Sequence, residues 1–347
     1  MIETLFIRAD ANTQIGSGHL MRCLALAQAW KKQGGNVTFI SDCGSESLRN
    51  RITGEGFELV LIEKPCPDLA DLETTFLVIN NSSSIKPWVV LDGYHFDTEY
   101  QQRIKYNGNP LLVIDDTAHL NHYFADIILN QNINAENLNY SYEPGTKLLL
   151  GTDYVLLRDE FSFYQNWKRE IPEVAKKILV TMGAGDANNV TLRVLDALDQ
   201  VDIDGLKIKV VAGASNPHLD IIRVAAKESR HRVELAIDVL NMSELMAWAD
   251  LAVSAGGSTC WELAFNGVPS ILIVTAENQK SIAEGLNKYN SAVNLGWYNK
   301  VTSEQIKNTF HILISDKAKR NIMSNYGRRL INGKGKYKVT AEMNIAI

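Results

Sequence analysis

Residues 4–40 of the chain, TLFIRADANTQIGSGHLMRCLALAQAWKKQGGNVTFI, carry its strongest structural signal. The apolar runs at residues 4–7 and 37–40 are typical of strands that are buried on both faces. Between the two runs, apolar side chains recur at helical spacing until two consecutive glycines end the stripe, in the order Leu20, Leu24, Ala27, Trp30, Gly34 and Gly35. A strand, a helix and a strand in this order indicate a βαβ unit, and therefore a parallel sheet covered by helices.

The same alternation continues through the first half of the chain and restarts in the second. Further strands are predicted at residues 88–91, 111–114, 177–181, 207–212, 233–236, 251–254 and 270–274. Residues 156–173 have little strand character, so we place a domain junction within them. We therefore expect an α/β fold of two Rossmann-like domains, residues 1–157 and residues 158–347, with the functional site in the cleft between them.

The composition is typical of a globular protein, since 46% of the 347 residues are hydrophobic and 22% are charged. The net charge of −5 provides no basic field for nucleic acid or an anionic membrane, and no apolar run reaches the roughly 18 residues of a spanning helix. The four cysteines are widely spaced, and the N-terminus lacks the pattern of a signal peptide. We expect a cytoplasmic, monomeric protein with reduced thiols and without nucleic-acid or membrane partners.

The first candidate site is Gly16-Ser17-Gly18-His19, which directly precedes the predicted helix at residues 20–32. Glycines allow a sharp turn and the close approach of a ligand, and a helix N-terminus offers free N–H groups to an anion. The helix dipole also disfavours a protonated imidazole there, so His19 would be neutral near pH 7 and able to act as a general base. The alternative is a tight turn capped by Ser17, with His19 simply packed.

The second candidate site follows the predicted strand at residues 251–254 and consists of Gly256-Gly257-Ser258-Thr259, with Glu262 one helical turn further on. Backbone N–H groups and two hydroxyls at such a turn suit a diphosphate, and Glu262 is spaced to accept hydrogen bonds from a ribose diol. The alternative is that Glu262 is merely a favourable acidic residue near a helix N-terminus.

Two further segments carry weaker signals. Asp115, Asp116, His119 and His122 have metal-ligating side chains, but their spacing is not that of a zinc-binding helix, and we expect no metal there. The glycine-rich turn at residues 183–189 follows a predicted strand and suits either a ligand or, with Asp186 as a helix cap, an ordinary strand-to-helix turn. We expect no cofactor.

Several strings of residues, taken together, resemble one family of enzymes. They run in order along nearly the whole chain: Gly16-Ser17-Gly18-His19 with Arg22-Cys23, Asp92-Gly93-Tyr94, Ile114-Asp115-Asp116, Leu156-Leu157-Arg158 with Glu160-Phe161, Gly183 with Gly185-Asp186, residues 254–259 with Glu262, and Asn278-Gln279. They are similar to those of the PseG-type UDP-sugar hydrolases, which act on UDP-2,4-diacetamido-2,4,6-trideoxy-β-L-altropyranose in pseudaminic acid biosynthesis. The Gly-Gly-Ser-Thr string is shared with the wider GT-B glycosyltransferases, including the MurG type.

The resemblance implies a GT-B architecture, in which two Rossmann-like domains with parallel sheets face one another across a cleft. It also implies hydrolysis of a UDP-sugar, in which water attacks the anomeric carbon with inversion and without a metal, in the synthesis of a surface polysaccharide or flagellin sugar. By matching position, His19 would be the general base. Residues that would bind the sugar are Gly16, Ser17, Gly18, Tyr94, Asn278 and Gln279, and residues that would bind UDP are Gly183, Val239, Met242, Gly256, Gly257, Ser258, Thr259 and Glu262.

Two other functions remain open on the sequence. A GT-B glycosyltransferase would use the same nucleotide site with an acceptor other than water, and a UDP-sugar-binding protein would keep the site without turnover. The sequence shows no amphipathic membrane-docking patch, which disfavours a lipid acceptor. The stereochemistry of the sugar depends on the shape of its pocket and is not carried by any of these motifs.

Overall fold

The computed structural model describes residues 4–12 and 15–345. The chain forms two compact units, one made of Met1–Asp159 with Gly333–Ile347 and the other made of Glu160–Asn332. Each unit contains one parallel sheet with helices in its strand connections. The predicted α/β fold of two Rossmann-like units is therefore confirmed, although the outermost residues of the predicted domains, 1–3 and 346–347, lie outside the described residues.

The first unit is built on a seven-stranded parallel sheet in the order β3-β2-β1-β4-β5-β6-β7. Its strands are β1 (Leu5–Ala9), β2 (Val37–Ser41), β3 (Glu58–Leu61), β4 (Trp88–Asp92), β5 (Leu111–Ile114), β6 (Ile127–Asn130) and β7 (Lys147–Leu150), and its connecting helices are α1 (Gly18–Lys32), α2 (Glu46–Gly54), α3 (Leu69–Asn80) and α4 (Thr98–Tyr106). The strand order reverses between β1 and β4. In open parallel sheets, ligands bind at such a reversal, beyond the carboxyl ends of the two strands.

Helix α1 follows the predicted pattern closely. The four residues of its apolar stripe are all buried, namely Leu20, Leu24, Ala27 and Trp30. The helix ends at Lys32, and Gly34 has φ +90° while its N–H donates to the carbonyl of Lys31. A positive φ is easily reached by glycine, so the sequence Gly34-Gly35 accounts for the end of the helix.

The second unit is built on a six-stranded parallel sheet in the order β10-β9-β8-β11-β12-β13. Its strands are β8 (Lys177–Thr181), β9 (Lys207–Ala212), β10 (Arg232–Ile237), β11 (Leu251–Ala255), β12 (Ser270–Val274) and β13 (Ala292–Trp297), and its helices are α5 (Val190–Asp199), α6 (Leu219–Glu228), α7 (Met242–Trp248), α8 (Thr259–Phe265), α9 (Lys280–Lys288), α10 (Ser303–Ser315) and α11 (Lys317–Leu330). The strand order reverses between β8 and β11, which places the expected ligand-binding crevice beyond those two strands.

The last helix, α12 (Gly335–Ile345), belongs to the first unit and not to the second. Val339 and Met343 are fully buried in the same core as Trp30. Lys336 is also buried, and its ammonium bonds Asp159 at 2.6 Å. The predicted second domain, residues 158–347, is therefore wrong at its C-terminal end, because the apolar side of this helix completes the core of the first unit.

Two further expectations concerned the cysteines and membrane-spanning helices. All four cysteines lie within the described residues, and each is a free thiol. Among residues 4–12 and 15–345, every helix falls short of the length and hydrophobicity that a membrane-spanning segment requires.

Candidate functional site

The strand-order reversal of the first sheet brings His19 and Asp92 together. The segment after β1 turns at Gly16, where φ is +77°, and enters α1, while Asp92 is the last residue of β4. Nδ1 of His19 lies 2.6 Å from Oδ1 of Asp92. A carboxylate can only accept at this distance, so Nδ1 carries the proton, and in the neutral imidazole Nε2 then keeps its lone pair.

Arg22 holds Asp92 in its ionised form. Its Nε and Nη2 each donate to one oxygen of Asp92 at 2.7 Å, and its Nη1 donates to both oxygens of Asp116 at 2.9 Å. Burial opposes ionisation of Asp92, but the charges and hydrogen bonds of Arg22 and His19 outweigh it and hold the pKa of Asp92 well below its usual range. One guanidinium therefore contacts two carboxylates, Asp92 and Asp116.

Tyr94 lies beside this pair. Its ring packs edge to face with the imidazole of His19, with centroids 5.3 Å apart, and with that of His119, with centroids 5.6 Å apart. The Tyr94 hydroxyl donates to Oδ2 of Asp116 at 2.9 Å. Asp116 therefore connects Tyr94 to Arg22, and one network fixes both the imidazole and the neighbouring aromatic ring.

The sequence left open a simpler interpretation of Gly16-Ser17-Gly18-His19, namely a tight turn that is capped by Ser17, with His19 packed. The N–H of Gly16 donates to the carbonyl of Asn12 at 2.8 Å, which closes a tight turn. Within the part of the chain that the structure describes, the Ser17 side chain makes no capping hydrogen bond to α1. A cap by Ser17 therefore does not explain the Gly-Ser-Gly-His string.

The second sheet has its own cluster at the reversal between β8 and β11. Gly183 follows β8 with φ +88° and has open space where a side chain would be. Gly256 and Gly257 follow β11, Ser258 is at the N-cap position of α8, and Glu262 in that helix is buried. Six of the eight residues that the sequence assigned to UDP thus follow the two strands that flank this reversal: Gly183, Gly256, Gly257, Ser258, Thr259 and Glu262.

Gln279 fixes the turn after β11. Its Oε1 accepts from the N–H of Gly256 at 3.2 Å and from the N–H and hydroxyl of Thr275 at 3.0 Å each. A Cβ on Gly256 would lie 3.0 Å from Cβ and from the carbonyl oxygen of Gln279, so a larger residue there would require Gln279 to move by a few tenths of an ångström. Its neighbour Asn278 is half-buried in a short 3-10 turn, Glu277–Gln279.

The other two residues that were assigned to UDP, Val239 and Met242, follow the edge strand β10. Asp238 has φ +49° and accepts from the N–H of Ala214 at 2.8 Å, and Val239 is half-buried. The N–H of Met242, the first residue of α7, donates to Oε1 of Glu160 at 3.2 Å. This partner was missed by the sequence analysis, in which Glu160 appeared only as part of the Arg158-x-Glu160-Phe161 string.

The histidines among the candidate metal ligands make hydrogen bonds to protein side chains. His119 Nδ1 bonds Oδ2 of Asp115 at 2.6 Å, whereas His122 bonds Ser141 and Glu143. Among the described residues, no three His, Cys, Asp or Glu side chains are grouped as metal ligands would be.

For the turn at residues 183–189, the sequence left open a ligand site or a helix cap by Asp186. The structure contains the cap. The two carboxylate oxygens of Asp186 accept from the N–H groups of Val190 and Thr191 in the first turn of α5, at 2.9 Å each. Asp186 therefore caps the first turn of α5 with its side chain, and nothing lies within 4 Å of the position that a Cβ would take at Gly183.

Comparison with known proteins adds three similar sequences and a family match. Residues 177–334 match the glycosyltransferase family 28 C-terminal domain. The chain is 28% identical to a UDP-2,4-diacetamido-2,4,6-trideoxy-β-L-altropyranose hydrolase of Campylobacter jejuni, over 83% of this chain and 97% of that one. It is 25% identical to the spore coat polysaccharide biosynthesis protein SpsG of Bacillus subtilis, over 96% of each. It is 28% identical to an uncharacterised protein of Methanocaldococcus jannaschii over 79% of this chain, but it spans only 56% of that relative's length.

Among solved structures, the fold is similar to that of MurG from Acinetobacter baumannii. The TM-score is 0.67, and the match covers 98% of this chain and 99% of MurG at 14% sequence identity. The fold is therefore of the GT-B type. The relatives and the family match together indicate an enzyme that acts on UDP-sugars.

Proposed function

We propose that this protein hydrolyses a UDP-linked 2,4-diacetamido-2,4,6-trideoxy sugar to UDP and the free sugar, as a member of the PseG-type hydrolases that supply pseudaminic acid biosynthesis. The similarity to the Campylobacter jejuni hydrolase over most of both chains supports the substrate class. The activity itself is supported by the chemistry of the first unit, where a base suited to activating water is assembled.

The observation that carries the proposal is the arrangement of His19, Asp92 and Arg22. Asp92 accepts from Nδ1 of His19 at 2.6 Å, which orients the ring and leaves Nε2 free to take a proton. In the proposed step, Nε2 removes one proton from water while the water oxygen bonds to the anomeric carbon. The bond from that carbon to the phosphate oxygen breaks, its electron pair leaves with UDP, and the configuration inverts. Asp92 then stabilises the imidazolium that has formed.

The second unit would bind the nucleotide. The turn after β11 and the open position at Gly183 present backbone N–H groups and the hydroxyls of Ser258 and Thr259 to a diphosphate. Glu262 would accept from the ribose hydroxyls, and the turn at Val239–Met242 would bind the uracil. UDP is a good leaving group when such donors stabilise its developing charge, so the proposal requires no strong general acid.

The direct test is hydrolysis in acceptor-free buffer made with water labelled with oxygen-18. We expect release of UDP from the diacetamido UDP-sugar, with the label on the anomeric hydroxyl of the free sugar and with the anomer opposite to that of the substrate, as read by NMR before mutarotation. Label in the phosphate of UDP would contradict attack at carbon, and retention of configuration would contradict the single-displacement step.

A second candidate function is glycosyl transfer, which is favoured by the match of residues 177–334 to the family 28 glycosyltransferase domain. The same acceptor-free assay distinguishes the two functions. UDP release that depends on an added sugar or lipid acceptor would support transfer, and UDP binding without turnover of any UDP-amino sugar would support a binding protein.

A further inference from the structure

The segment that opens the second unit, Glu160 to Arg169, contacts both ends of α7. Glu160 lies at the N-terminal end, where its Oε1 accepts from the N–H of Met242 at 3.2 Å. Its backbone carbonyl accepts from the hydroxyl of Ser243 at 2.9 Å. The Glu160 carboxylate therefore supplies a partner to one N–H of the first turn, in which the N–H groups have no partner within the helix itself, while Asn241 is the N-cap and accepts from the N–H of Glu244.

Arg169 lies at the opposite end of the same helix. Its Nη2 donates to the carbonyl of Met246 at 2.5 Å and its Nη1 to that of Ala249, while its Nε donates to the carbonyl of Asn266 at 2.9 Å. These carbonyls terminate α7 and α8, where the helix dipoles favour a cation. Burial lowers the pKa of Arg169 to about 10. One guanidinium thus ties together the C-terminal ends of two helices.

The same segment also packs against α8. Phe161 is fully buried, and its ring lies edge to face with that of Phe265, with centroids 6.4 Å apart. Helices of seven residues are far below the length of about 12 to 15 at which an isolated helix becomes even marginally stable. The positions of α7 and α8 therefore depend on the contacts made by their neighbours, and this segment supplies contacts to both.

The N-termini of these two helices follow the two turns to which the proposed function assigns UDP. Helix α7 follows the turn at Val239–Met242, and α8 follows Gly256-Gly257-Ser258. The turns lie beyond β10 and β11, which are separated by β9 and β8 in the sheet. Three strand spacings amount to about 14 Å. If the diphosphate lies at one turn and the base at the other, binding of the nucleotide depends on how the two helices are placed relative to each other.

We propose that Glu160 is a positioning residue for nucleotide binding: by accepting from the N–H of Met242 and from the hydroxyl of Ser243, it sets the orientation of α7 and of the turn that would bind the base. The inference rests on the proposed function, since it assumes that UDP binds at these two turns. Glu160 itself touches neither the sugar nor the reacting atoms. Its effect is therefore on UDP affinity, and the chemical step at His19 is left unchanged.

The test compares UDP affinity, measured by titration calorimetry, for the wild type and Glu160→Ala, Glu160→Gln and Glu160→Asp. We expect Glu160→Ala to raise the Kd for UDP by about 3- to 20-fold, the equivalent of a lost helix cap. Glu160→Gln should stay within about 2-fold of the wild type, because its amide oxygen still accepts from the N–H of Met242. In turnover, Glu160→Ala should raise KM and leave kcat nearly unchanged.

Glu170→Ala is the matched control, since Glu170 is exposed and directly follows this segment. Equal UDP affinity in Glu160→Ala, Glu170→Ala and the wild type would overturn the inference, even if Glu160→Ala lowered the melting temperature. If Glu160→Ala does not fold, Glu160→Asp, whose shorter side chain cannot reach Met242 in the same way, provides the comparison. A wild type that binds no UDP would instead refute the proposed function, and with it the premise of this role.

Discussion

Asp92 is the residue on which the candidate active site of the first unit depends. It accepts from His19, twice from Arg22, and from the thiol of Cys23 at 3.4 Å. The sequence predicted a neutral His19 from the helix dipole alone, and the structure adds a carboxylate that fixes its tautomer. Asp92 is 73 residues from His19 along the chain. No local pattern links the two, so only the order of strands in the sheet reveals the pair.

Sequence reasoning was most successful for residues whose role is local. Glycines at turns, the apolar stripe of α1 and the helix cap at Asp186 all follow from propensities of a few neighbouring residues. Roles that depend on distant partners were missed, including those of Asp116, Gln279 and Glu160. In the sequence, each of these residues belongs to a string that is shared with the PseG-type hydrolases. Such a string marks a position, but it does not show what the side chain contacts.

His119 yields a prediction about stability and pH. Its hydrogen bond to Asp115 raises the pKa of His119 above its usual value, despite the opposing effect of burial. A raised pKa means that His119 contributes stability that is complete below its unfolded pKa of about 6.5 and is lost as pH rises through the folded value. We therefore expect His119→Gln to lower the melting temperature more at pH 6 than at pH 9. An equal or larger loss at pH 9 in thermal unfolding would contradict this assignment.

At the scale of elements, most of the buried apolar strands were predicted, whereas two partly exposed edge strands were not. The five residues of β12 and the four of β5 are all buried, and both strands were predicted with the observed bounds. By contrast, β3 and β13 lie at sheet edges, are mostly partly exposed, and include Glu58, Asn294 and Gly296. β6 and β7 were also missed, although they match β5 in length and the four residues of β6 are all buried, and nothing in their structure explains this difference.

Helix α12 gives a prediction at this scale. A Cβ on Gly335 would overlap the backbone of Tyr154 and Val155, so the start of the helix can approach that backbone only as glycine. Gly335→Ala should shift the helix away from the core that contains Val339 and Met343, and should lower the free energy of unfolding by about 1 to 3 kcal/mol.

Gly54→Ala provides the control for this substitution in a urea unfolding series. Gly54 ends α2 with open space at its Cβ position, so alanine there should be neutral or stabilising by up to about 1 kcal/mol. Equal stability of the Gly335→Ala and Gly54→Ala proteins would show that α12 does not need the close approach.

At the scale of the whole molecule, the two-domain α/β architecture could be predicted because each sheet repeats the strand–helix rhythm. The return of the C-terminal helix α12 to the first unit could not be predicted. The apolar residues of α12 show that it buries one side, but they do not show which core receives it. Its place depends on packing against α1, and on the ion pair of Lys336 with Asp159, 177 residues away in sequence.

The molecule therefore divides the proposed chemistry between its two units. The first unit would supply the general base, His19, with Asp92 and Arg22 beside it. The second holds the turns assigned to UDP, which are fixed by Gln279 and Glu160. If each unit supplies one function, removing the base should affect turnover and leave nucleotide affinity intact.

The most direct measurement is therefore made on His19→Asn, with kcat for the diacetamido UDP-sugar and Kd for UDP determined on the same preparation. His122→Asn serves as the control, because His122 bonds Ser141 and Glu143 instead of Asp92. We expect His19→Asn to lose at least about 100-fold in kcat, the usual contribution of a general base, and to keep UDP affinity within about 2-fold. A variant that keeps more than about a tenth of the wild-type kcat, a barrier change below about 1.4 kcal/mol, would contradict the assignment of His19 as the base.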